Sequence, residues 1–255
     1  MIGRGLLRSL FVAAAAFATI AAGPAEDARE LMEAGREREA FQLIDIAAGQ
    51  GDVDAIDYLA WFYDAGRVVA RDPPRAARLY RQAAERGQRH AQWRLGVMLD
   101  TGEGVTADPV AAVSWFRRAA EQGSPNAQVS LGVMFATGRG VPRDYAEAMR
   151  RYQAAARLGA PHGFFGVGIM HYQGEGVPAD RVEGVAWLAV AATLGDEDAE
   201  HAINEAGASS EMPSEALERA MARASAIARE HGYRDLDFRF ENLDDPGQPQ
   251  PVPNS

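Results

Sequence analysis

Ala127-Gln128-Val129-Ser130-Leu131-Gly132-Val133-Met134-Phe135-Ala136-Thr137-Gly138-Arg139-Gly140-Val141-Pro142-Arg143-Asp144 is the stretch that decides the fold, because its landmarks recur at a fixed step. Moving outward, Leu131 is matched by Leu59, Leu95 and Val167, and Asp144 by Asp72, Asp108 and Asp180. Ala-Ala pairs fall at Ala47–Ala48, Ala83–Ala84, Ala119–Ala120, Ala155–Ala156 and Ala191–Ala192, each followed three residues later by Gly51, Gly87, Gly123, Gly159 or Gly195. Every step is 36 residues without insertion. Periods of this size mark stacked supersecondary units, none of which buries its apolar face alone.

One step earlier the unit reads as two helices. Ala91–Asp100 places Leu95, Gly96 and Leu99 on one face at helical spacing. It stops at Thr101-Gly102-Glu103-Gly104, where Gly102 supplies a left-handed terminator. Asp108 then caps a second helix with Pro109 at its first position, where a missing N–H costs nothing. That helix runs through Val113, Phe116, Ala119 and Ala120 to Gly123, and the small Gly96 and Ala119 let helices approach closely. The Gly-x-Gly triplets at 102–104, 138–140 and 174–176 follow no strand and recur in phase with the repeat, so they read as turn glycines and not as phosphate loops.

The run 127–144, continued by Tyr145-Ala146-Glu147-Ala148 to Ala155-Ala156-Arg157-Leu158-Gly159, resembles the Sel-one-like repeat, a family related to tetratricopeptide repeats. The expected fold is all-α: a right-handed α-solenoid (superhelix) of about four to five 36-residue helix-turn-helix repeats with terminal capping helices. Four units are placed at 55–90, 91–126, 127–162 and 163–198. An N-terminal capping helix or half repeat (26–54) precedes them. A C-terminal partial repeat and capping helix (199–240), with a helix opening at Pro213 and running to Glu230, and a Pro-rich tail (241–255) follow. Two departures stand out. Gly66-Arg67-Val68 lacks the second turn glycine, so this turn is expected to differ, since Val resists positive φ. The fourth unit carries Gly163, Gly166 and Gly168 in its first helix, which is read as the least stable: a hinge, a site of close approach, or drift of the pattern.

Composition narrows the function. A formal charge of −10 argues against nucleic acid and anionic membrane surfaces as partners. All 26 basic residues are Arg, and the lack of Cys removes disulfides, thiol chemistry and thiolate metal sites. Arg4 and Arg8, the run Leu10–Ala22 and the small residues Gly23 and Ala25 have the layout of a signal peptide over 1–25. Its apolar run is short for a membrane span, a retained anchor being the alternative. Cleavage after Ala25 leaves a charge of −12, no stable membrane insertion, and a periplasmic or secreted chain.

No catalytic constellation, cofactor motif or metal-ligand spacing emerges: His90 and His162 lie two units apart, and no Gly-x-Ser-x-Gly or His-Glu-x-x-His occurs. His171, standing where Tyr63, Leu99 and Phe135 stand in the other units, reads as a core or groove residue. In the family that the chain resembles, the first helix of each unit lines a concave side. Its outward stripe here would be Asp57, Trp61, Asp64; Trp93, Val97, Asp100; Val129, Val133, Ala136; and Phe165, Ile169, Tyr172. Trp61, Trp93, Arg94, Val97, Val133, Phe165 and Ile169 are the candidate binding residues, with Trp93 and Phe165 as anchors, against the plainer reading that they pack between helices. The acids at the N-terminal end are placed to steer basic residues of a protein or peptide partner. The resemblance implies an adaptor or a regulator of an envelope complex or signalling receptor; a secreted hydrolase acting on cell-wall or peptide substrates and a host-directed effector are the alternatives.

Overall fold

The computed structural model describes residues 23–208, 212–234, 236 and 238, and every regular element among them is a helix. The segment 1–22 of the signal-peptide reading and the tail 241–255 lie outside them. The described residues form two compact units, the first ending at Gln88 and the second beginning at Arg89.

The first unit holds α1 (Pro24–Glu33), α2 (Glu37–Gly49), α3 (Val53–Ala65) and α4 (Pro73–Glu85). The expected half repeat is a complete hairpin. Its turn, Ala34–Arg36, is short, which throws α1 out of the repeat register even though Ala28 is fully buried. Helix α3 is capped by Asp52, whose side chain accepts from the Ala55 N–H at 2.8 Å, and is ended by Gly66 at φ 67°. Phe41, Tyr58, Trp61, Phe62 and Tyr63 form an aromatic cluster, with Phe41 edge-on to Phe62 at 5.3 Å.

The turn after α3 corrects the sequence expectation. Val68 takes φ 66°, the left-handed conformation that Gly104 and Gly140 take at the same position (70° and 73°). The turn is therefore the same in every repeat, closed by the Asp72 N–H donating to Tyr63 O at 2.9 Å as Asp144 does to Phe135 O. Crowding explains why glycine is required elsewhere: a Cβ on Gly140 would lie 2.3 Å from Pro109 O, and one on Gly176 2.6 Å from the Tyr145 Cβ. Val68 instead faces an open hollow bounded by Gly35, Arg36, Glu37, Arg38 and Glu39. It has room, and retains only the strain of its backbone, of order 1–2 kcal/mol.

The second unit holds α5 (Arg89–Thr101), α6 (Pro109–Glu121), α7 (Pro125–Thr137), α8 (Tyr145–Arg157), α9 (Pro161–Gln173), α10 (Arg181–Thr193), α11 (Glu197–Ala208) and α12 (Ser214–Glu230). Helix α5 begins two residues before the sequence-derived start. The expected caps form: Asp108, Asp144 and Asp180 accept from the N–H of Ala111, Glu147 and Glu183 at 2.9–3.0 Å. Small residues do set the packing distance. A Cβ on Gly96 would lie 2.5 Å from the Phe116 ring, and one on Gly132 2.5 Å from that of Tyr152.

Of the readings weighed for the glycines of α9, the structure shows close approach. A Cβ would meet Ala156 N at 2.4 Å from Gly163, the Tyr152 ring at 2.4 Å from Gly166 and Leu188 Cγ at 2.8 Å from Gly168. The phenol of Tyr152, clamped in this way, has its pKa pushed up to about 12 by burial and the nearby Glu175 carboxylate.

Helix α10 is buried on all sides from Gly184 to Ala191. Helices α9 and α11 cover part of it, and α12 covers the rest through Ala216, Ala220, Ala224, Ile227 and Ala228. The chain then turns back: Tyr233 is buried, its hydroxyl 3.2 Å from where a Gly159 Cβ would stand, and Leu236 and Phe238 pack on the same core.

Candidate functional site

The predicted stripe is present at the expected helical faces, but it is nowhere fully exposed. In the first unit Trp61 is half-buried, stacked among Tyr58 (5.5 Å) and Phe62 (5.2 Å). Asp57 and Asp64 are each only 8% exposed, and the Asp64 carboxylate accepts from Tyr80 OH at 3.3 Å. These two acids are thus held within the fold and offer a partner little surface for direct contact.

In the second unit the stripe runs over consecutive first helices. Trp93, Arg94 and Val97 on α5, Val133 on α7, and Phe165 and Ile169 on α9 are all half-buried. The Trp93 indole N–H donates to Ser130 Oγ at 3.2 Å, tying α5 to α7, while Ser130 itself donates to Asn126 O at 2.9 Å. The His90 ring lies 5.8 Å from Trp93, and the Arg94 guanidinium sits 5.5 Å above the indole. Val129, Val133, Phe165, Ile169 and Tyr172 lean on the core, so part of their apolar surface serves as the seam between helices. The packing reading thus describes a portion of each of these side chains, and the remaining portion stays at the surface.

Asp100, at the end of the stripe's α5 segment, accepts from Arg139 at 2.7 Å through Oδ2, whereas its Oδ1 is buried without a partner. Sequence reasoning missed this pair, which joins two turns 39 residues apart; a salt bridge across one repeat step leaves no mark in either local motif.

A second cluster, also missed, sits where α12 meets α10. Glu183 accepts from Arg223 Nε at 2.9 Å and from Trp187 Nε1 at 2.9 Å, and Arg223 also reaches Glu230 at 3.1 Å. Burial alone would raise the Glu183 carboxyl, but the hydrogen bonds of Arg223 and Trp187, with the charges of Arg223 and His171, hold it below the ordinary carboxylate value. The imidazole of His231 lies 4.9 Å from Phe164 and 5.4 Å from Trp187, with its Nδ1 2.9 Å from Ile227 O. His171 is half-buried beside this cluster. His162 Nδ1 is 2.5 Å from Asp196, a fully buried carboxylate that also caps α11 through the Ala199 N–H at 3.0 Å.

This geometry, helix pairs joined by one recurring turn with a glycine where α5, α7 and α9 each meet the following helix, is that of a helical-repeat scaffold. The Sel1 repeat model matches residues 53–88, 89–124, 125–159 and 165–196, more than half of the sequence. The chain belongs to the Sel1 repeat family, the Sel-one-like repeat of the sequence resemblance, and its fold is an all-α solenoid. It is similar to the Sel1 repeat protein from Oxalobacter formigenes, with 32% identity over 81% of this chain and 84% of that one, and a TM-score of 0.66. It is similar also to c5321, a protective antigen of uropathogenic Escherichia coli, with 31% identity over 76% of this chain but 43% of that one, TM-score 0.61. An immunity protein from Pseudomonas aeruginosa, Pa5087, covers 96% of the chain at 20% identity and a TM-score of 0.50, a likeness of fold. No curated protein matches the chain. Sel1 repeat proteins are generally non-catalytic scaffolds for protein–protein interaction.

Proposed function

We propose that this chain is an exported, periplasmic interaction module that holds a segment of a partner protein on the stripe of α5, α7 and α9, and so regulates an envelope complex or signalling receptor. The observation that carries the reading is the continuity of Trp93, Val97, Val133, Phe165 and Ile169 along three successive first helices, each keeping part of its side chain at the surface. An extended segment or an amphipathic helix laid across such a row contacts every repeat once. Trp93 and Phe165 would supply most of the affinity, as half-exposed aromatics on rigid helices do in other interfaces. Export rests on Arg4, Arg8 and the apolar run Leu10–Ala22.

The test is affinity capture from envelope extract with the mature chain beside a Trp93→Ala/Phe165→Ala variant whose helicity and melting are checked first. One partner retained by the wild type and lost by the variant supports the stripe. Equal retention by both removes it. N-terminal sequencing of the chain from a periplasmic fraction is expected to begin at Glu26, and intact Met1 at the membrane would mean a retained anchor.

A further inference from the structure

The repeat places equivalent surfaces at a fixed step, so a surface filled in one repeat is a template for the same surface left open in another. Helices α6 and α10 are such a pair. Both begin directly after a capping aspartate, Asp108 or Asp180, and Trp115 of α6 stands 72 residues before Trp187 of α10, two repeat steps. On α10 this outer face is covered by a helix: α12 lies along it, Trp187 is only 8% exposed, and Arg223 closes on Glu183. The outer face of a second-position helix in this fold can therefore seat another helix, with an indole for apolar contact and one charged group for register.

On α6 the packed neighbours are α5 and α7, and the equivalent face remains at the surface. Trp115 is half-buried, covered by the Arg118 guanidinium at 4.5 Å from its ring. Val110, 65% exposed, stands about 140° round α6 from Trp115, at the far edge of an exposed arc that also holds Ser114, Arg117 and Arg118. The electrostatics of the socket are inverted relative to α10. Ala111 stands where Glu183 stands, and Arg118 where Val190 stands, with Arg117 exposed beside it. Glu121 is the acid on this helix, so one positive charge is left over on the patch of an otherwise acidic chain. A guanidinium stacked on an indole keeps its N–H edge free for a carboxylate, and that planar fork favours two-pronged pairing.

We propose that Trp115, Arg117 and Arg118 form a second interaction surface, separate from the inner stripe, that takes an acidic amphipathic helix of a partner protein. Its apolar side covers Trp115, and its carboxylates pair with Arg118 and, further round α6, with Arg117. The arrangement repeats the α12–α10 contact with the charges exchanged: there the face supplies the acid and the docking helix the arginine.

The test uses the full chain and a labelled 17-residue peptide of the α12 sequence, residues 214–230, in which Arg219, Arg223 and Arg229 are replaced by Glu. Fluorescence anisotropy at low ionic strength is expected to show saturable binding that weakens as salt is raised. Arg117→Glu/Arg118→Glu is expected to weaken it at least tenfold, and Trp115→Ala comparably. The arginine pair is exposed and carries the test even if Trp115→Ala fails to fold. The peptide with its native arginines should bind the charge-reversed chain better than it binds the wild type. Trp93→Ala/Phe165→Ala should leave acidic-peptide binding unchanged, which separates this surface from the stripe. Absence of binding, equal binding by wild type and the arginine variant, or loss confined to the Trp93/Phe165 variant would each overturn the proposal. Wild-type dimers in sedimentation that Arg117→Glu/Arg118→Glu dissolves would make the occupant a second copy and overturn the partner assignment.

Discussion

The third and fourth repeats carry the same acid at the same place and satisfy it in different ways. On α8, Glu147 is held by its own helix: Arg150 Nε donates at 2.8 Å and Arg151 Nε at 2.6 Å, and Arg151 extends to Gln128 at 3.4 Å. One step later those three positions are Ala186, Trp187 and Phe164. Glu183 has no arginine three or four residues further along its helix and is satisfied by Arg223 from α12, while Trp187 and Phe164 receive His231 and Tyr233. These three positions are among those at which the two repeats differ, and in the fourth repeat they carry the contacts of a docked helix. The same capped backbone thus serves both an outer face that its own arginines satisfy and one that a terminal helix covers.

The largest effect should come from removing the apolar half of this difference. Trp187→Ala is expected to cost about 3–5 kcal/mol, as truncation of a buried Trp does, with protection of α12 amides falling first in hydrogen exchange. Arg151→Ala at the matching position should cost well under about 1 kcal/mol in chemical denaturation. Equal losses would mean that α12 does not depend on the aromatic contact.

Next in size is the crossing of α9 over α8. Gly163→Ala puts a methyl 2.4 Å from Ala156 N and 2.8 Å from Ala155 C, backbone atoms that cannot swing aside. A net loss of about 2 kcal/mol is expected after the gain in helix propensity. At the third-repeat counterpart, Ala127→Gly should cost about 1 kcal/mol through propensity, with a further loss where the buried methyl is removed. A neutral Gly163→Ala in thermal melts would show that the two helices slide apart freely.

The charged half is smaller. Glu183→Gln should cost about 1–2 kcal/mol, and Glu147→Gln less because its arginines remain solvated. The Glu183 carboxyl is held below its ordinary value in the folded chain, so its contribution is complete above the unfolded-state pKa and disappears as pH falls through the folded one. Acid titration followed by α12 amide exchange should therefore show the helix loosening below about pH 4, and Glu183→Gln should flatten that profile. The smallest effect is in the first repeat. Val68→Gly, which restores the residue found at 104 and 140, is expected to stabilise by about 1 kcal/mol in denaturant titration.

Much of this was legible in the residues. The 36-residue step, the aspartate caps and the close-packing role of Gly96 follow from local chemistry that each repeat restates. What the sequence hid depends on neighbours. Val68 adopts a glycine conformation because the closing bond of Asp72 requires it and the hollow beside α2 leaves space, and neither is visible in a tripeptide. Asp57 and Asp64 look like surface acids at helical spacing, yet both are buried with partners. The docking of α12 had a signal, the loss of arginines at 186 and 187 beside a retained Glu183, but reading it requires knowing which face of α10 lies open.

The turn-back of the chain onto Phe164 and Gly159 has a kinetic consequence. Most side-chain contacts within the repeats join residues at most about one repeat step apart, so each helix pair forms against its predecessor with little loop to close. The Phe164–Tyr233 contact closes a loop of 69 residues, and it can form only after α10 and α12 have met. Assembly is therefore expected to spread outward from adjacent pairs and to finish at this clasp, so that the last step in folding is also the first to come undone under load.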